Sequence, residues 1–221
     1  ISSFSSSLLP SSTYYYAKGR DIREMSSTAL RVVSLASLPL AILGYAISPL
    51  FISKLFPKYV SGIESMQLLV LFLTATMPLQ LLSTFMVAAK VSYRPFILIG
   101  SLSALEVVSL SYLLIPELGI LGAAIAQAVN TLLTSALYLF FSVKQDVFPL
   151  GRREAFTLVL ITLSFLSLLN WIVALVLILL GFRLLGVVTT SEVKLVEGLA
   201  PQPLKRFTKV LYLVASDRSV R

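Results

Sequence analysis

The chain contains no cysteine and no histidine among its 221 residues. Their absence excludes a disulfide framework, a thiol nucleophile, a Ser-His-Asp triad and a zinc site built on cysteine or histidine. The ten acidic residues are scattered along the chain, so the one remaining option, an all-carboxylate metal site, has little support. We therefore expect no catalytic residue, no bound metal and no cofactor, and we expect that the protein is not an enzyme.

Charge is also scarce. Charged residues make up 13% of the chain and apolar residues 57%, and the mean hydropathy is +0.92. The charged share is about half of that in ordinary soluble proteins. Uncharged apolar runs of about 20 residues match the hydrocarbon thickness of a bilayer. The sequence therefore predicts an all-α, polytopic membrane helix bundle with about six spans, at roughly 32–52, 66–89, 95–115, 118–143, 155–170 and 171–188.

The positive charge is distributed unevenly when the connecting loops are assigned alternately to two sides. One side receives only Lys54 and Lys58, and the other receives every remaining lysine and arginine. Insertion into membranes retains basic loops in the cytoplasm. The pattern therefore predicts a multi-pass plasma-membrane protein with a cytoplasmic C-terminus. It also accounts for the net charge of +8 without a nucleic-acid partner, and we expect none.

The order of apolar and polar segments suggests how the chain is organised. Residues 1–10 resemble the last turns of a truncated span closed by Pro10, and we interpret the chain as the C-terminal fragment of a longer membrane protein. We divide the apolar segment 155–188 into two spans at Asn170–Trp171, because this division keeps the basic tail on the cytoplasmic side. The remaining predicted segments are a cytoplasmic connector at 11–31, four spans within 32–143, a cytoplasmic loop at 144–154, two further spans within 155–188, and a cytoplasmic amphipathic tail at 189–221.

Glu106 is the most conspicuous candidate for function, because it lies near the middle of the third predicted span. A carboxylate at that depth costs several kcal/mol unless it is protonated, paired or facing a wet cavity. Gln127 and Asn130 lie three residues apart on the fourth span and so share a helical face. We predict that these three residues line a substrate cavity. The alternative for each is polar contact between neighbouring helices.

Other polar and small residues have more than one interpretation. Lys18, Arg20 and Arg23 are candidates for binding a phosphate-bearing headgroup at the cytoplasmic mouth, or they only signal topology. Arg31, at the start of a span, is expected to extend its charge toward the interface. The small residues at spacings 119/123 and 122/126 are expected to let helices pack closely.

Three short segments resemble a known family. Residues 8–10 read LLP, residues 15–20 read YYAKGR, and residues 114–126 read LIPELGILGAAIA. In this order they resemble polysaccharide-biosynthesis flippases of the multidrug/oligosaccharidyl-lipid/polysaccharide exporter superfamily. There, a proline ends one helix before a short basic connector, and a Gly-Ala-Ala helix follows an Ile-Pro turn. Glu106 departs from this pattern, since members often have asparagine nearby.

The resemblance implies the second lobe of a two-lobed exporter fold that works by alternating access. The implied substrate is a polyprenyl-linked oligosaccharide, and the implied partners are the lipid bilayer and the missing N-terminal lobe of the same protein. Basic cavity residues of related flippases lie mainly in that lobe and have no counterpart here. The alternatives are a cation-coupled drug or metabolite exporter of the same superfamily, a membrane glycosyltransferase or polymerase, and a structural membrane subunit.

Overall fold

A computed structural model describes residues 21–187, and throughout this range the chain is helical and without strands. The prediction of an all-α protein is therefore confirmed for this part. The predicted N-terminal remnant, Lys18, Arg20 and the amphipathic tail lie outside the described residues. The α-helices are α1 (Ile22–Leu55), α2 (Ile63–Ala75), α3 (Met77–Gln80), α4 (Leu82–Ala88), α5 (Arg94–Leu118), α6 (Ile120–Lys144), α7 (Arg152–Ser164) and α8 (Trp171–Leu184), with 3-10 turns at Pro57–Gly62 and Phe165–Leu168.

Helix α1 has 34 residues, which corresponds to about 51 Å along its axis. It begins at Ile22, because the carboxylate of Asp21 accepts a hydrogen bond from the backbone N–H of Arg23 at 2.9 Å. The last ten residues of the predicted connector at 11–31 are thus helical and continuous with the apolar segment. A good N-terminal cap and a run of helix-forming residues extend the helix beyond its apolar segment.

The second predicted span is broken. Helix α2 ends at Ala75, and the short helices α3 and α4 continue toward Ala88 after a bend of 49°. Pro78 lies within α3 and has no N–H, so the carbonyl of Thr74 lacks the partner that a continuous helix would provide. The interruption lies about halfway along the segment 63–88.

Helices α5 and α6 form a hairpin around Gly119, whose φ of +57° is unfavourable for residues with a side chain. A Cβ atom placed on Gly122 would lie 2.3 Å from the carbonyl oxygen of Leu114. The absence of a side chain at Gly122 therefore permits the close approach of the two helices. Gly122 and Ala126 are buried, which fits the predicted packing role of the 122/126 spacing, whereas Gly119 and Ala123 are exposed.

Helices α7 and α8 form a second hairpin with a boundary at Asn170. The Asn170 side chain accepts hydrogen bonds from the backbone N–H groups of Ile172 and Val173, at 3.0 and 3.2 Å, and so caps α8. The helix boundary falls where the sequence indicates a split. Helices α7 and α8 have only 13 and 14 residues, and the rings of Phe165 and Phe72 meet at 4.6 Å, partway along the broken span.

Helix α1 is in contact with most of the other helices. It packs against α2 to α4 and against α7 and α8, while α6 packs against α2 and α5 packs against α6. The larger apolar core joins α1, α2, α7 and α8 around Leu38, Ile42 and Leu71. A smaller core joins the start of α1, the end of α4 and the loop after α6, through Ile22, Phe85 and Val147.

The smaller core shows that the start of α1, the end of α4 and the end of α6 meet at one end of the bundle. Helix α1 begins at this end and runs to Leu55, so Lys54 and Lys58 lie at the opposite end. The segregation of basic residues that the sequence predicts is therefore present in the described fold. The end that contains the smaller core, which we call the basic end, carries Arg23, Arg31, Lys90, Arg94, Lys144, Arg152 and Arg153.

Fewer helices qualify as spans than the six predicted. Within residues 21–187, α1, α5 and α6 are long and apolar enough to cross a membrane. The number rises to four if the bent segments Pro57–Ala75 and Met77–Ala88 are counted together as one span. Helix α8 is apolar but short, at about 21 Å, and helix α7 is about 20 Å long and begins with the charged residues Arg152, Arg153 and Glu154. These helices are compatible with a membrane protein, but six spans and a two-lobed exporter fold are not confirmed.

Candidate substrate-cavity site

The α5–α6 hairpin carries the predicted cavity residues. The hydroxyl group of Ser103 on α5 donates a hydrogen bond to the side-chain oxygen of Asn130 on α6 at 2.7 Å. This bond, together with the contact of Gly122 with Leu114, sets the register of two antiparallel helices. Asn130 therefore lies at the helix–helix contact, in keeping with the predicted alternative of polar contact between helices.

Glu106 lies one helical turn from Ser103 on the same side of α5. Its two carboxylate oxygens are shielded from solvent, and neither has a hydrogen-bond partner among residues 21–187. Side-chain polar atoms buried in this way are costly unless a ligand, a proton or a further protein group satisfies them. Glu106 is thus the least satisfied ionisable group of the described fold.

Gln127 lies one turn before Asn130, so the register of the hairpin places it at the level of Glu106. Its side chain is partly buried. The backbone carbonyls of Gln127 and Asn130 accept hydrogen bonds from the hydroxyl groups of Thr131 and Thr134, both at 2.8 Å. Ser103, Glu106, Gln127 and Asn130 together form a strip of polar side chains, which we call the polar strip.

The polar strip borders a helix that is almost uncovered. Only Pro95 and Ile99 are buried among the 25 residues of α5, and its other faces expose large apolar side chains such as Leu105 and Val108. A polar strip beside an uncovered helix can donate and accept hydrogen bonds toward a group that lies against the hairpin. Within residues 21–187, α5 therefore packs against α6 and leaves its remaining faces uncovered.

Arg23 is the one predicted headgroup-mouth residue that the structure describes. Its guanidinium group pairs with the carboxylate of Asp146 in the loop after α6, and both side chains remain exposed, at 46% and 67%. An exposed pair of this kind contributes little stability and can exchange its partner readily. Arg23 is therefore engaged within the chain while its charge remains accessible.

A buried cluster near Arg23 was missed by sequence reasoning. Arg31 and Glu154 form an ion pair with side-chain exposures of 10% and 8%. The hydroxyl group of Ser27 donates to the same carboxylate oxygen of Glu154 at 2.5 Å and accepts from Arg31 at 2.7 Å. The expectation that Arg31 extends toward the interface is wrong, because Glu154 and Ser27 satisfy its charge within the protein.

The sequence gives only a weak sign of this cluster. Ser27 and Arg31 are four residues apart on α1 and so share a face, but Glu154 follows 123 positions later in a segment that reads as a mixed-charge loop. The cluster joins α1 to α7, and the hydroxyl group of Ser26 adds a bond to the carbonyl of Val147 at 2.8 Å. Its arrangement is that of a structural clamp, since all of its partners belong to the chain.

Within the described part of the chain, no group of three or more acidic side chains could hold a metal ion. Comparison with known proteins adds no relative: no family model, no curated protein and no solved structure matches this chain.

Proposed function

We propose that this protein is a membrane transporter, a flippase that moves a polyprenyl-linked oligosaccharide across the plasma membrane by alternating access. The observation that carries the proposal is the polar strip on the α5–α6 hairpin, with a shielded carboxylate that has no hydrogen-bond partner among residues 21–187. Long apolar helices and one basic end are consistent with a bundle that lies in a bilayer. The sequence motifs supply the class of substrate.

The physical task of such a protein is to carry a sugar headgroup through hydrocarbon. In the proposed mechanism, Glu106, Gln127 and Asn130 offer hydrogen bonds to sugar hydroxyl groups, while the polyprenyl chain remains among the lipids. A further lobe faces the hairpin and closes the cavity, and rocking of the two lobes exposes the cavity to each side in turn. At the basic end, Lys18, Arg20 and Arg23 attract the phosphate groups of the substrate.

The proposal can be tested by transport in vesicles with the protein as it occurs in its full-length form. The measurement follows a fluorescent polyprenyl-linked oligosaccharide that becomes accessible to an impermeant quencher. We expect Glu106→Gln, Gln127→Leu and Asn130→Leu each to slow transport by about tenfold, because a lost hydrogen bond to a polar substrate costs roughly 1–2 kcal/mol.

Glu117→Gln is the matched control, since it makes the same change on the exposed end of the same helix. It should leave transport unchanged. Wild-type rates in all three cavity variants, in protein that elutes and unfolds normally, would reject the assignment of the cavity.

A cation-coupled drug or metabolite exporter is the second candidate, and it is favoured because Glu106 has no hydrogen-bond partner in the described part of the chain. A carboxylate in this position can bind a proton or sodium ion between the two conformations. Transport of small aromatic cations that stops when the proton or sodium gradient is collapsed would support the exporter. Transport of the oligosaccharide lipid without dependence on either gradient would support the flippase.

A further inference from the structure

A separate cleft lies on the other side of α6 from the α5 contact, where the broken span, α6 and α7 meet. Its volume is about 230 Å³. A cavity of about 150 Å³ holds a benzene molecule, so this cleft has room for about nine non-hydrogen atoms. The lining residues are Thr76, Leu79, Leu132, Ser135, Ala136, Leu139, Leu158, Ile161, Thr162 and Phe165.

The lining excludes a charged ligand. It contains leucine, isoleucine, alanine and phenylalanine side chains together with three hydroxyl groups, and no acidic or basic residue. An ion in such surroundings would remain uncompensated. The cleft therefore suits an uncharged molecule that is largely apolar.

Ser135 adds a requirement for a polar group. Its side chain is 1% exposed, and its hydroxyl group has no hydrogen-bond partner among residues 21–187. The carbonyl of Thr131, one turn earlier, already accepts a bond from Thr134 at 3.2 Å. The hydroxyl groups of Thr76 and Thr162 are likewise engaged, each with the carbonyl four residues before it. Ser135 is thus the lining hydroxyl that needs a partner from a ligand.

The mouth of the cleft faces the outside of the bundle. Leu132, Ala136 and Thr162 are exposed at the gap between α6 and α7. In a bilayer, this gap opens to the hydrocarbon phase, so a ligand enters from the lipid rather than from water. The floor includes Thr76 and Leu79 at the helix interruption, and broken helices in membrane proteins commonly line binding sites.

We propose that this cleft binds a neutral amphiphile with one short alkyl chain and one hydroxyl group, which enters from the hydrocarbon and hydrogen-bonds Ser135. The alkyl chain packs against the leucine and phenylalanine side chains. A simple hydrocarbon chain would fill the space but would leave the Ser135 hydroxyl unpaired. This site is distinct from the polar strip and does not depend on the proposed transport activity.

Photolabelling tests the site directly. The purified full chain in lipid nanodiscs is exposed to octan-1-ol carrying a photoactivatable diazirine and, separately, to the corresponding octane derivative. Labelled peptides are then mapped by mass spectrometry. We expect the alcohol to label α6 and α7 at the cleft, and Ser135→Ala to reduce labelling by the alcohol about fivefold, which corresponds to the loss of one hydrogen bond. Labelling by the alkane should not change.

A second variant and a control complete the experiment. Ala136→Leu fills the mouth of the cleft and should reduce labelling by both probes, whereas Ser101→Ala on the exposed face of α5 should change neither. Equal labelling by alcohol and alkane that Ser135→Ala does not alter would show an apolar void filled by any lipid chain, and would overturn the proposal. Labelling that avoids the cleft, or that persists in Ala136→Leu, would overturn it as well.

Discussion

At the scale of single residues, the ion pair between Arg31 and Glu154 is the most consequential contact of the described fold. Burial removes both charges from water, and the pair is tolerable because Ser27 and Thr28 supply further hydrogen bonds. Removal of one partner would leave the other charge buried without this ion pair. The energy at stake therefore includes the cost of burying the remaining charge as well as the loss of the contact itself.

We predict that Glu154→Ala lowers the free energy of unfolding by about 3–5 kcal/mol. The measurement is a denaturant titration in mixed micelles. The double variant Arg31→Met/Glu154→Met should be less destabilised than Glu154→Ala, because it removes both buried charges together. A double variant that is as unstable as the single one would contradict this account.

Asp146→Asn provides the matched control at the exposed pair with Arg23. Asp146 has a φ of 61°, a conformation that asparagine tolerates, so this change removes charge without adding strain. We expect a loss of less than about 1 kcal/mol, because water already screens both partners. A loss as large as that of Glu154→Ala would show that burial does not determine how much each ion pair contributes to stability.

Single residues differ in how readily the sequence reveals them. Glu106 is predictable as a site candidate because a charge in the middle of an apolar run is conspicuous. The pairing of Arg31 with Glu154 is not predictable, since the two residues are remote in the chain and only the packing of α7 on α1 brings them together. The Ser135 cleft is equally hidden, because serine in an apolar helix usually bonds to its own backbone.

At the scale of helices, the hairpin of α5 and α6 depends on the close approach at Gly122. We predict that Gly122→Ala lowers the free energy of unfolding by about 1–3 kcal/mol, because its Cβ would overlap the backbone of Leu114 and separate the helices. The same titration in mixed micelles measures the effect. Separation would also break the Ser103–Asn130 bond, so transport should fall in this variant too.

Gly100→Ala is the corresponding change at an open position. Apart from the adjacent residues and the nearby backbone of α5 itself, no described atom lies within 4 Å of the Cβ that it would add, so alanine should leave stability equal or slightly higher. If both glycine variants behaved alike, close packing at Gly122 would not hold the hairpin together.

Helix boundaries follow the sequence where a local signal exists. Gly119 ends α5, and Asn170 caps α8 close to the predicted split. Helix α1 begins ten residues before the predicted span at 32–52, because Asp21 caps a polar first turn. Pro78 marks the position of the break in the sequence, but the bend of 49° does not follow from it, since proline in a membrane helix produces outcomes from a mild kink to a break.

At the scale of the whole molecule, the unequal number of basic residues at the two ends of the bundle predicts the orientation of the chain in the membrane. The chain has no cysteine, so each introduced thiol is unique. We predict that Lys58→Cys reacts with an impermeant maleimide added to intact cells, and that Gln145→Cys reacts only after the membrane is permeabilised. Both positions are exposed in the fold, so accessibility decides the outcome.

Ser92→Cys, between Lys90 and Arg94, supplies an independent check at the basic end and should behave like Gln145→Cys. Labelling of all three in intact cells would contradict the proposed orientation. Labelling of Gln145→Cys and Ser92→Cys but not of Lys58→Cys would show the reverse orientation.

Because only two residues of α5 are buried, its outward positions should tolerate many amino-acid substitutions. In a saturation mutagenesis experiment scored by protein abundance, outward positions such as Ile97, Leu105 and Val108 should accept one another's side chains freely but reject aspartate and lysine. Phe85, which is fully buried, should reject both smaller apolar and charged replacements. Selection at these outward positions would then act on solubility in lipid alone, and their sequence would drift quickly while their composition stayed constant.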